Sequence, residues 1–148
     1  MEIRPIEAAD FDEWLRLRLA LWPDHTADEH RAEMMQIAND SLSPVFVIER
    51  GHGRLAGFLE AGLRKYADGC DTSPVGYIEG WYVDADVRQQ GLGRALMQAA
   101  EQWAITHGCT EIASDCLIDN DVSYRAHLAI GYLETERLIH FKKDLRRR

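Results

Sequence analysis

The chain has 148 residues, of which 46% are hydrophobic, and this length and composition are typical of one packed domain. Its 17 Lys and Arg residues are outnumbered by 25 Asp and Glu residues, which gives a net charge of −8. Most of residues 142–148 are basic, so the body that precedes them is strongly acidic. Phosphate backbones and anionic membranes repel such a body, which argues against nucleic-acid and membrane binding and favours cationic partners.

The cysteines and the apolar segments indicate a cytoplasmic protein. Cys70, Cys109 and Cys116 are an odd number without a C-x-x-C pair, as expected in a reducing compartment. The N-terminus lacks the pattern of a signal peptide, and no apolar run is long enough to cross a bilayer. The histidines do not show the spacing of metal ligands, so we expect no metal site.

Hydrophobic periodicity predicts a chain of mixed strands and helices. The predicted strands cover residues 2–6, 45–48, 55–63, 77–83, 111–115, 132–136 and 138–142. The predicted helices cover residues 10–22, 26–38, 91–107 and 120–129, and a long loop covers residues 66–74. Because hairpins and helical crossovers both occur in this order, the sheet should be mixed and the fold class α/β or α+β.

Three positions carry specific local signals. Asp10 with Glu13, and Thr26 with Glu29, have the spacing of a capping box at the start of a helix. Gly80 interrupts an apolar strand, where a missing side chain marks a bulge or a close approach of two segments. We therefore expect Gly80 to matter for the local geometry of its strand.

The most informative segment, residues 88–95, lies between a predicted strand and a long amphipathic helix. It reads Arg-Gln-Gln-Gly-Leu-Gly-Arg-Ala. Glycines let the backbone approach a ligand, and the N–H groups and positive end of a helix attract anions, so this segment predicts a phosphate cradle. The Gly-Lys-Ser/Thr of a P-loop is absent, and Leu96 stands where a dinucleotide-binding fingerprint needs a small residue.

This segment resembles the R/Q-x-x-G-x-G/A motif with which Gcn5-related N-acetyltransferases (GNAT) bind the pyrophosphate of acetyl-CoA. Asn120 and the pair Gly131-Tyr132 resemble the last motif of that superfamily. The resemblance implies that residues 1–148 form one GNAT domain, with a mixed, mostly antiparallel sheet of about seven strands and about four flanking helices. It implies acetyl-CoA as co-substrate, in contact with Val83, Arg88, Gln89, Gln90, Gly91, Leu92, Gly93, Arg94, Ala95, Asn120 and His127.

The resemblance also assigns parts of the chemistry. Superfamily members carry a bulge near Val83, where a backbone N–H polarises the thioester carbonyl and two strands separate to admit the pantetheine. Many members place a tyrosine, which protonates the leaving thiolate, four residues before the closing glycine, and His127 stands there in this chain. Imidazole donates protons near neutral pH, and Tyr124 lies one helical turn earlier, so the acid is His127, Tyr124 or solvent.

A narrower resemblance, to bacterial aminoglycoside 6'-N-acetyltransferases, rests on four landmarks spread along the chain. They are Trp22-Pro23, residues 69–75 before Ile78-Glu79-Gly80, Ala113-Ser114-Asp115, and residues 134–137. This resemblance implies acetylation of the 6'-amino group of these antibiotics, hence resistance, and a homodimer in which Glu136 serves a site across the interface. The alternatives are an acetyltransferase of another polyamine or of a protein amine, and a non-catalytic acyl-CoA-binding regulator.

A polycationic acceptor needs carboxylates and aromatic rings around it. Glu79, Asp115 and Glu136 lie on predicted strands or at their ends, and Glu79 has apolar neighbours among which a carboxylate needs a partner. Because a sugar ammonium must lose a proton to attack a thioester, we expect Asp115 as base and Glu79 as anchor, or the reverse. Trp22 suits core packing and a sugar contact equally, and the resemblance implies that Trp22 and Tyr66 contact the substrate.

Overall fold

The computed structural model of the protein describes residues 1–146; Arg147 and Arg148, at the end of the basic C-terminal segment, lie outside them. The elements in chain order are β1 (Glu2–Pro5), α1 (Phe11–Leu21), α2 (Ala27–Ala38), β2 (Val45–Gly51), β3 (Arg54–Arg64), β4 (Val75–Val83), α3 (Leu92–Thr106), β5 (Ile112–Ala113) and α4 (Asp121–Ala129). Short 3-10 turns precede α1 and α3. The chain divides into two compact units, Met1–Asp115 and Cys116–Arg148.

The strands form one sheet in the order β1-β2-β3-β4-β5. The first four strands pair antiparallel, whereas β5 pairs parallel with β4. The mixed, mostly antiparallel sheet and the α/β class predicted from the sequence are therefore confirmed. Among residues 1–146, no helix combines the length and the apolar character that a membrane span requires.

The core of the first unit lies where α1 and α2 pack on the sheet. Its fully or almost fully buried side chains come from both helices and from the two strands of the central hairpin: Trp14, Leu17, Met34, Val45, Val47, Leu55 and Phe58. The long helix α3 also packs on the sheet and buries Leu96, Met97, Ala100 and Ala104. Removal of these apolar surfaces from water supplies the main favourable free energy of folding.

One of the two predicted capping boxes is present. At the start of α2, Thr26 Oγ1 accepts the N–H of Glu29 at 3.1 Å, and Glu29 Oε1 accepts the N–H of Thr26 at 2.9 Å. The box predicted at Asp10 and Glu13 is wrong, because a 3-10 turn precedes α1 and Asp10 closes that turn by accepting the N–H of Glu7 at 2.8 Å. Glu13 instead accepts a backbone N–H from β3 and so ties α1 to the sheet.

The two strands predicted at residues 132–136 and 138–142 are wrong: residues 131–144 form neither helix nor strand. Their apolar side chains stay in solvent, and Leu133, Ile139 and Phe141 are 84, 80 and 90% exposed. An alternating sequence forms a strand only where a neighbouring strand supplies hydrogen bonds and cover, and the described part of the chain pairs no strand with this segment. The sheet therefore has five strands here rather than about seven.

Strand β4 contains a bulge at the predicted glycine. Glu60 of β3 lies opposite Gly80, but the next residue, Ala61, lies opposite Ile78, so that Glu79 is an extra residue on β4. An extra residue breaks the strict alternation of side chains between the two faces of a strand. The bulge thus decides which way the charged residues around it face.

Gly80 is also a point of close approach. A Cβ atom built on Gly80 would lie 2.5 Å from Cη2 and 2.8 Å from Cζ2 of Trp22, so the indole rests directly on the backbone of β4. Both readings of this glycine are therefore confirmed. The bulge expected near Val83 lies three residues earlier, at Gly80, because Val83 itself pairs in register with Gly57.

Gly80→Ala should destabilise the protein, because its methyl group would overlap the rigid Trp22 ring and overpacking costs about 1–3 kcal/mol. Gly62→Ala on β3 is the matched control, since the atom nearest to its added methyl group, the carbonyl oxygen of Leu42, would lie 3.8 Å away. Urea unfolding followed by circular dichroism should show a lower midpoint for Gly80→Ala alone. Equal midpoints for the two variants would contradict the seating of Trp22 on β4.

Candidate functional site

A buried arginine on α1 organises one side of the candidate site. The side chain of Arg18 is 1% exposed, and its guanidinium pairs with the Glu60 carboxylate. Its Nη2 lies 3.0 Å from Oε1 of Glu33, its Nε donates to Nδ1 of His30 at 3.1 Å, and its flat face lies 4.8 Å from the ring centre of Trp22. A buried charge is tolerated only when it is paired and hydrogen-bonded in this way.

The partners of His30 fix its protonation state. An arginine N–H can only donate, so Nδ1 of His30 accepts from Arg18. The backbone carbonyl of Trp22 can only accept, so Nε2, at 3.0 Å from that oxygen, carries the hydrogen. His30 is therefore neutral, and it links the Arg18 guanidinium to the backbone at the end of α1.

Glu60 is the buried carboxylate of the site. It accepts a hydrogen bond of 2.9 Å from Nε1 of Trp14 as well as the bond from Arg18. Burial raises the pKa of the Glu60 carboxyl above its ordinary value, and the positive charge of Arg18 limits that rise. Glu60 and Arg18 were not among the site residues predicted from the sequence, although a lone glutamate in the apolar strand 55–63 was a signal for a buried ion pair.

These side chains belong to an open pocket of about 180 Å³. Its lining residues are Arg18, Trp22, His25, His30, Glu33, Glu60 and Glu79. Three carboxylates face one guanidinium, so the pocket favours a cation. Sites that enclose a whole drug-sized ligand measure about 300–1,000 Å³, so this pocket has room for one part of a larger molecule.

Glu79 faces solvent, although its neighbours in sequence are apolar. Its side chain is 42% exposed because the bulge turns it out of the sheet interior. The partner that the sequence analysis required is nevertheless present: Arg64, at the end of β3, places Nη2 2.8 Å from Oε1 and Nε 3.3 Å from Oε2. Sequence analysis missed Arg64, since nothing local marks the last residue of a strand as a partner of the next one.

Arg64 connects Glu79 to the second candidate acid, Asp115. The Arg64 guanidinium carbon lies 3.4 Å from the ring centre of Tyr77, and the Tyr77 hydroxyl donates to Oδ2 of Asp115. Burial, with the negative charge of Asp115 as a further cause, raises the pKa of Tyr77 above its ordinary value, so this hydroxyl stays a donor. The structure thus brings both predicted carboxylates into one connected group with a cation and a phenol.

Strands β4 and β5 stop pairing next to this group. Only two pairs join them, Gly76 with Ile112 and Tyr77 with Ala113. The strand predicted at residues 111–115 is therefore two residues long, and Asp115 lies beyond its end. Pairing between β4 and β5 therefore stops at Tyr77, well before Val83, and the expected separation of two strands near Val83 stays a prediction.

The loop between β4 and α3 has the backbone expected of an anion cradle. Gly91, with φ of 80°, is the N-cap of α3 and supplies no side-chain cap, and Gln89 also has a positive φ of 64°. The first turn of α3 contains no acidic residue, so nothing there neutralises the positive end of the helix. Trp81 braces the turn by donating from Nε1 to the Gly93 carbonyl at 3.1 Å. The loop therefore fits a phosphate-bearing ligand.

The side chain of Arg88 contacts the end of strand β4. Its Nε donates to the carbonyl oxygen of Val83 at 2.8 Å, and its guanidinium carbon lies 5.6 Å from the ring centre of Tyr82. Arg88 therefore braces the loop against the end of β4. The other predicted coenzyme contacts of this region lie in the same loop and in the first turns of α3: Gln90, Leu92, Arg94 and Ala95.

The second unit carries the remaining predicted coenzyme contacts on α4. Asn120 caps the helix, because its Oδ1 accepts the N–H of Ser123 at 3.1 Å. His127 donates from Nδ1 to the Ser123 carbonyl at 2.7 Å, so this ring nitrogen carries a hydrogen. The Tyr124 hydroxyl donates to Oε2 of Glu134 at 3.1 Å, and its hydrogen is therefore already engaged by a carboxylate.

The other predicted substrate contacts lie in different settings. Trp22 both packs on the core, with Phe58 edge-on at 6.0 Å, and lines the pocket. Tyr66 is 70% exposed after β3 and donates to Asp68 at 2.9 Å. Glu136 is exposed in the second unit and lies on no strand, contrary to the prediction. Among residues 1–146, no group of three or more His, Cys, Asp or Glu side chains is arranged to hold a metal ion.

Comparison with known proteins identifies the family. The sequence model of the acetyltransferase (GNAT) family matches residues 8–132. The chain belongs to this family. This GNAT chain is 40% identical over 146 residues to aminoglycoside N(6')-acetyltransferase type 1 of Klebsiella aerogenes, a match that covers 97% of the chain and 96% of the relative.

Solved structures agree with this assignment. A ligand-free crystal structure of an aminoglycoside antibiotic 6'-N-acetyltransferase from Acinetobacter haemolyticus superimposes with a TM-score of 0.91 at 36% identity, covering 98% of this chain and 99% of that one. The structure of AAC(6')-Iy in complex with the bisubstrate analogue CoA-S-monomethyl-acetylneamine gives a TM-score of 0.89 at 36% identity, covering 97% of each chain. The GNAT fold expected from the loop motif is therefore confirmed.

Proposed function

We propose that this GNAT enzyme transfers the acetyl group of acetyl-CoA to the 6'-amino group of aminoglycoside antibiotics and so confers resistance to them. One observation carries the proposal: an acidic pocket lined by Trp22, in a chain similar along almost its whole length to enzymes of that activity. Acetylation removes one positive charge and one donor group from the drug, which weakens its binding to anionic RNA.

The charges of the first unit suit a polycationic sugar. Glu33 and Glu79 reach solvent at the pocket, so each can meet an ammonium group without the cost of complete burial. The aromatic face of Trp22 offers a flat apolar surface for a sugar ring and an attractive face for a cation. A neutral or anionic acceptor would gain no electrostatic attraction from these carboxylates.

Asp115 is the proposed base. The amine must lose a proton to become a nucleophile, and a carboxylate takes it directly or through a water molecule. The Tyr77 hydroxyl holds Oδ2 of Asp115, which orients the carboxylate and leaves its other oxygen to face the amine. Glu79 is the proposed anchor for the ammonium group before it reacts.

Acetyl-CoA supplies an activated thioester to this amine. The β4–α3 loop, residues 88–95, would hold its pyrophosphate with backbone N–H groups and the positive end of α3. A backbone N–H near Val83 would polarise the carbonyl. Asn120 and His127 are proposed coenzyme contacts through the family resemblance. The group that protonates the leaving thiolate is His127 or solvent, because the Tyr124 hydroxyl already donates to Glu134.

Asp115→Asn should lower kcat for a 6'-amino drug such as kanamycin by about 10²–10⁴-fold, since the amine would lose its base. Glu79→Gln should chiefly raise KM for the drug. Asp71→Asn, which changes an exposed acid on the neighbouring loop, is the control. The rate of thiol release from acetyl-CoA gives kcat and KM for the unchanged protein and the three variants. An unchanged kcat and pH profile in Asp115→Asn would contradict the role of Asp115 as base.

We also propose that the enzyme is a homodimer. Exposed apolar side chains line residues 131–146, and monomeric proteins rarely leave such a surface uncovered. The sequence of this segment favours strands that lack a partner within the described chain, which a second copy would supply. Glu136 lies in the same segment and would then serve the site of the second copy.

Phe141→Lys should convert the dimer into a species of 16.9 kDa, because a charge would replace a 90%-exposed apolar side chain of the proposed interface. Ile105→Lys, on the exposed side of α3, is the control and should stay dimeric. Light scattering measures both masses. A mass of 16.9 kDa for the unchanged protein would contradict the homodimer.

The remaining proposals concern compartment and domain organisation. The cysteines of the described chain are free thiols, which supports a cytoplasmic location. The family match crosses the boundary between the two compact units, which supports a single acetyltransferase domain over residues 1–148.

A further inference from the structure

The loop between β4 and α3 begins at Asp84, and an arginine of α1 holds this residue. Arg16 places Nη1 3.2 Å from Oδ1 of Asp84 and Nη2 3.0 Å from Oδ2, so the two side chains form a two-pronged pair. The Asp84 side chain is only 14% exposed. A planar guanidinium that contacts both oxygens of a carboxylate fixes the direction of the carboxylate as well as its distance. The first residue of the loop is therefore fixed relative to α1.

Arg16 is itself held by its neighbours. Its Nε donates to Oε2 of Glu13 at 2.8 Å, and its Nη2 also donates to the carbonyl oxygen of Leu55 on β3 at 2.8 Å. The other carboxylate oxygen of Glu13 accepts the N–H of Leu55 at 3.0 Å. The backbone N–H of Asp84 donates to the carbonyl oxygen of Ala56, also on β3, at 2.7 Å. These hydrogen bonds connect α1, β3 and the start of the loop.

The loop needs such support because part of its backbone is strained. Gln89 has a φ of 64°, a conformation that residues with a side chain rarely adopt and that persists only where the surrounding structure imposes it. Two residues before Gln89, the buried residue Val87 donates its N–H to the carbonyl oxygen of Asp84 at 3.1 Å. The position of Asp84 thus determines where the turn that leads to Gln89 begins.

The charge of Asp84 does not explain why an acid stands at this point. A carboxylate in a loop that binds a pyrophosphate repels the anion, and Arg16 and Arg50, at 3.0 and 3.7 Å, compensate for its charge. Neutralising Asp84 while both arginines remain would make the loop more positive, which by itself strengthens anion binding. A role in charge and a role in position therefore predict opposite effects when the acid is removed.

We propose that Asp84 is a positioning residue for acetyl-CoA, because its pair with Arg16 holds the loop so that the loop N–H groups face the pyrophosphate. This inference rests on the proposed role of the loop in coenzyme binding and adds the side chain that sets the geometry of the loop. Neither Asp84 nor Arg16 lines the acidic pocket. Loss of the pair should therefore weaken binding of the coenzyme and leave use of the acceptor almost unchanged.

The test uses Asp84→Asn and a matched control. Asparagine has nearly the shape of aspartate, but its NH2 group would face a guanidinium that can only donate, so one prong of the pair is lost. The control is Asp10→Asn, because Asp10 forms the same two-pronged pair with Arg4 of β1, at 2.7 and 3.0 Å. Calorimetry gives the Kd of acetyl-CoA, thermal unfolding gives the stability, and thiol release at saturating acetyl-CoA gives KM for kanamycin.

We expect Asp84→Asn to weaken acetyl-CoA binding about tenfold and to change KM for kanamycin by less than about twofold. Asp10→Asn should lower the unfolding temperature without a change in the Kd of acetyl-CoA. Arg16→Lys keeps the positive charge but loses the two-pronged contact, so it should weaken acetyl-CoA binding by about threefold. This second variant carries the test if Asp84→Asn does not fold.

Two results would overturn the inference. Equal or tighter binding of acetyl-CoA by Asp84→Asn would show that Asp84 acts through its charge or not at all. An equal loss of affinity in Asp10→Asn would assign the effect to general stability.

A further variant, Gln90→Glu, separates this inference from the proposed function. It adds a negative charge to an exposed position of the loop and should weaken acetyl-CoA binding if the loop holds the pyrophosphate. A loss of affinity in Gln90→Glu but not in Asp84→Asn would reject the role of Asp84 alone. Normal binding by Gln90→Glu would reject the loop as the coenzyme site, and the inference with it. Calorimetry needs no acceptor, so the result holds whichever amine the enzyme acetylates.

Discussion

The bulge at Glu79 and Gly80 on β4 is the constraint on which the site depends. The extra residue turns Glu79 to solvent, while Glu60, opposite Gly80, faces the buried guanidinium of Arg18. The absent side chain of Gly80 lets Trp22 rest on the strand. A regular strand with any larger residue at this point would remove the acidic anchor and the aromatic wall together.

Arg18 holds in place the side chains that form one wall of the pocket beside this bulge. It uses the Glu60 carboxylate, the His30 ring, Glu33 and the face of Trp22 at once. A buried ion pair contributes little net stability, because desolvation of the two charges offsets their attraction, but removal of one partner leaves an uncompensated charge. The network therefore serves the geometry of the pocket more than the free energy of folding.

Sequence reasoning was most reliable where a local rule decides the structure. The capping box at Thr26, the close approach at Gly80 and the glycine loop before α3 each follow from neighbouring residues alone. It failed where tertiary context decides. The exposure of Glu79 did not follow from its apolar neighbours because a bulge broke the alternation of the strand. The strands after residue 131 were wrong because no described strand pairs with them. Arg64 and Tyr77 were missed because their partners are distant in sequence.

The most direct test of the account compares kanamycin with a drug of the same skeleton that carries a hydroxyl in place of the 6'-amine. Acetyl-CoA, the purified enzyme and each acceptor are mixed, and thiol release is recorded, with spermidine and a lysine peptide as further acceptors. The account predicts turnover with the 6'-amino drug and none with its 6'-hydroxyl counterpart. Turnover with spermidine or the peptide alone would keep the fold and the chemistry but contradict the assignment of the acceptor, and binding of acetyl-CoA without turnover of any amine would favour a regulator.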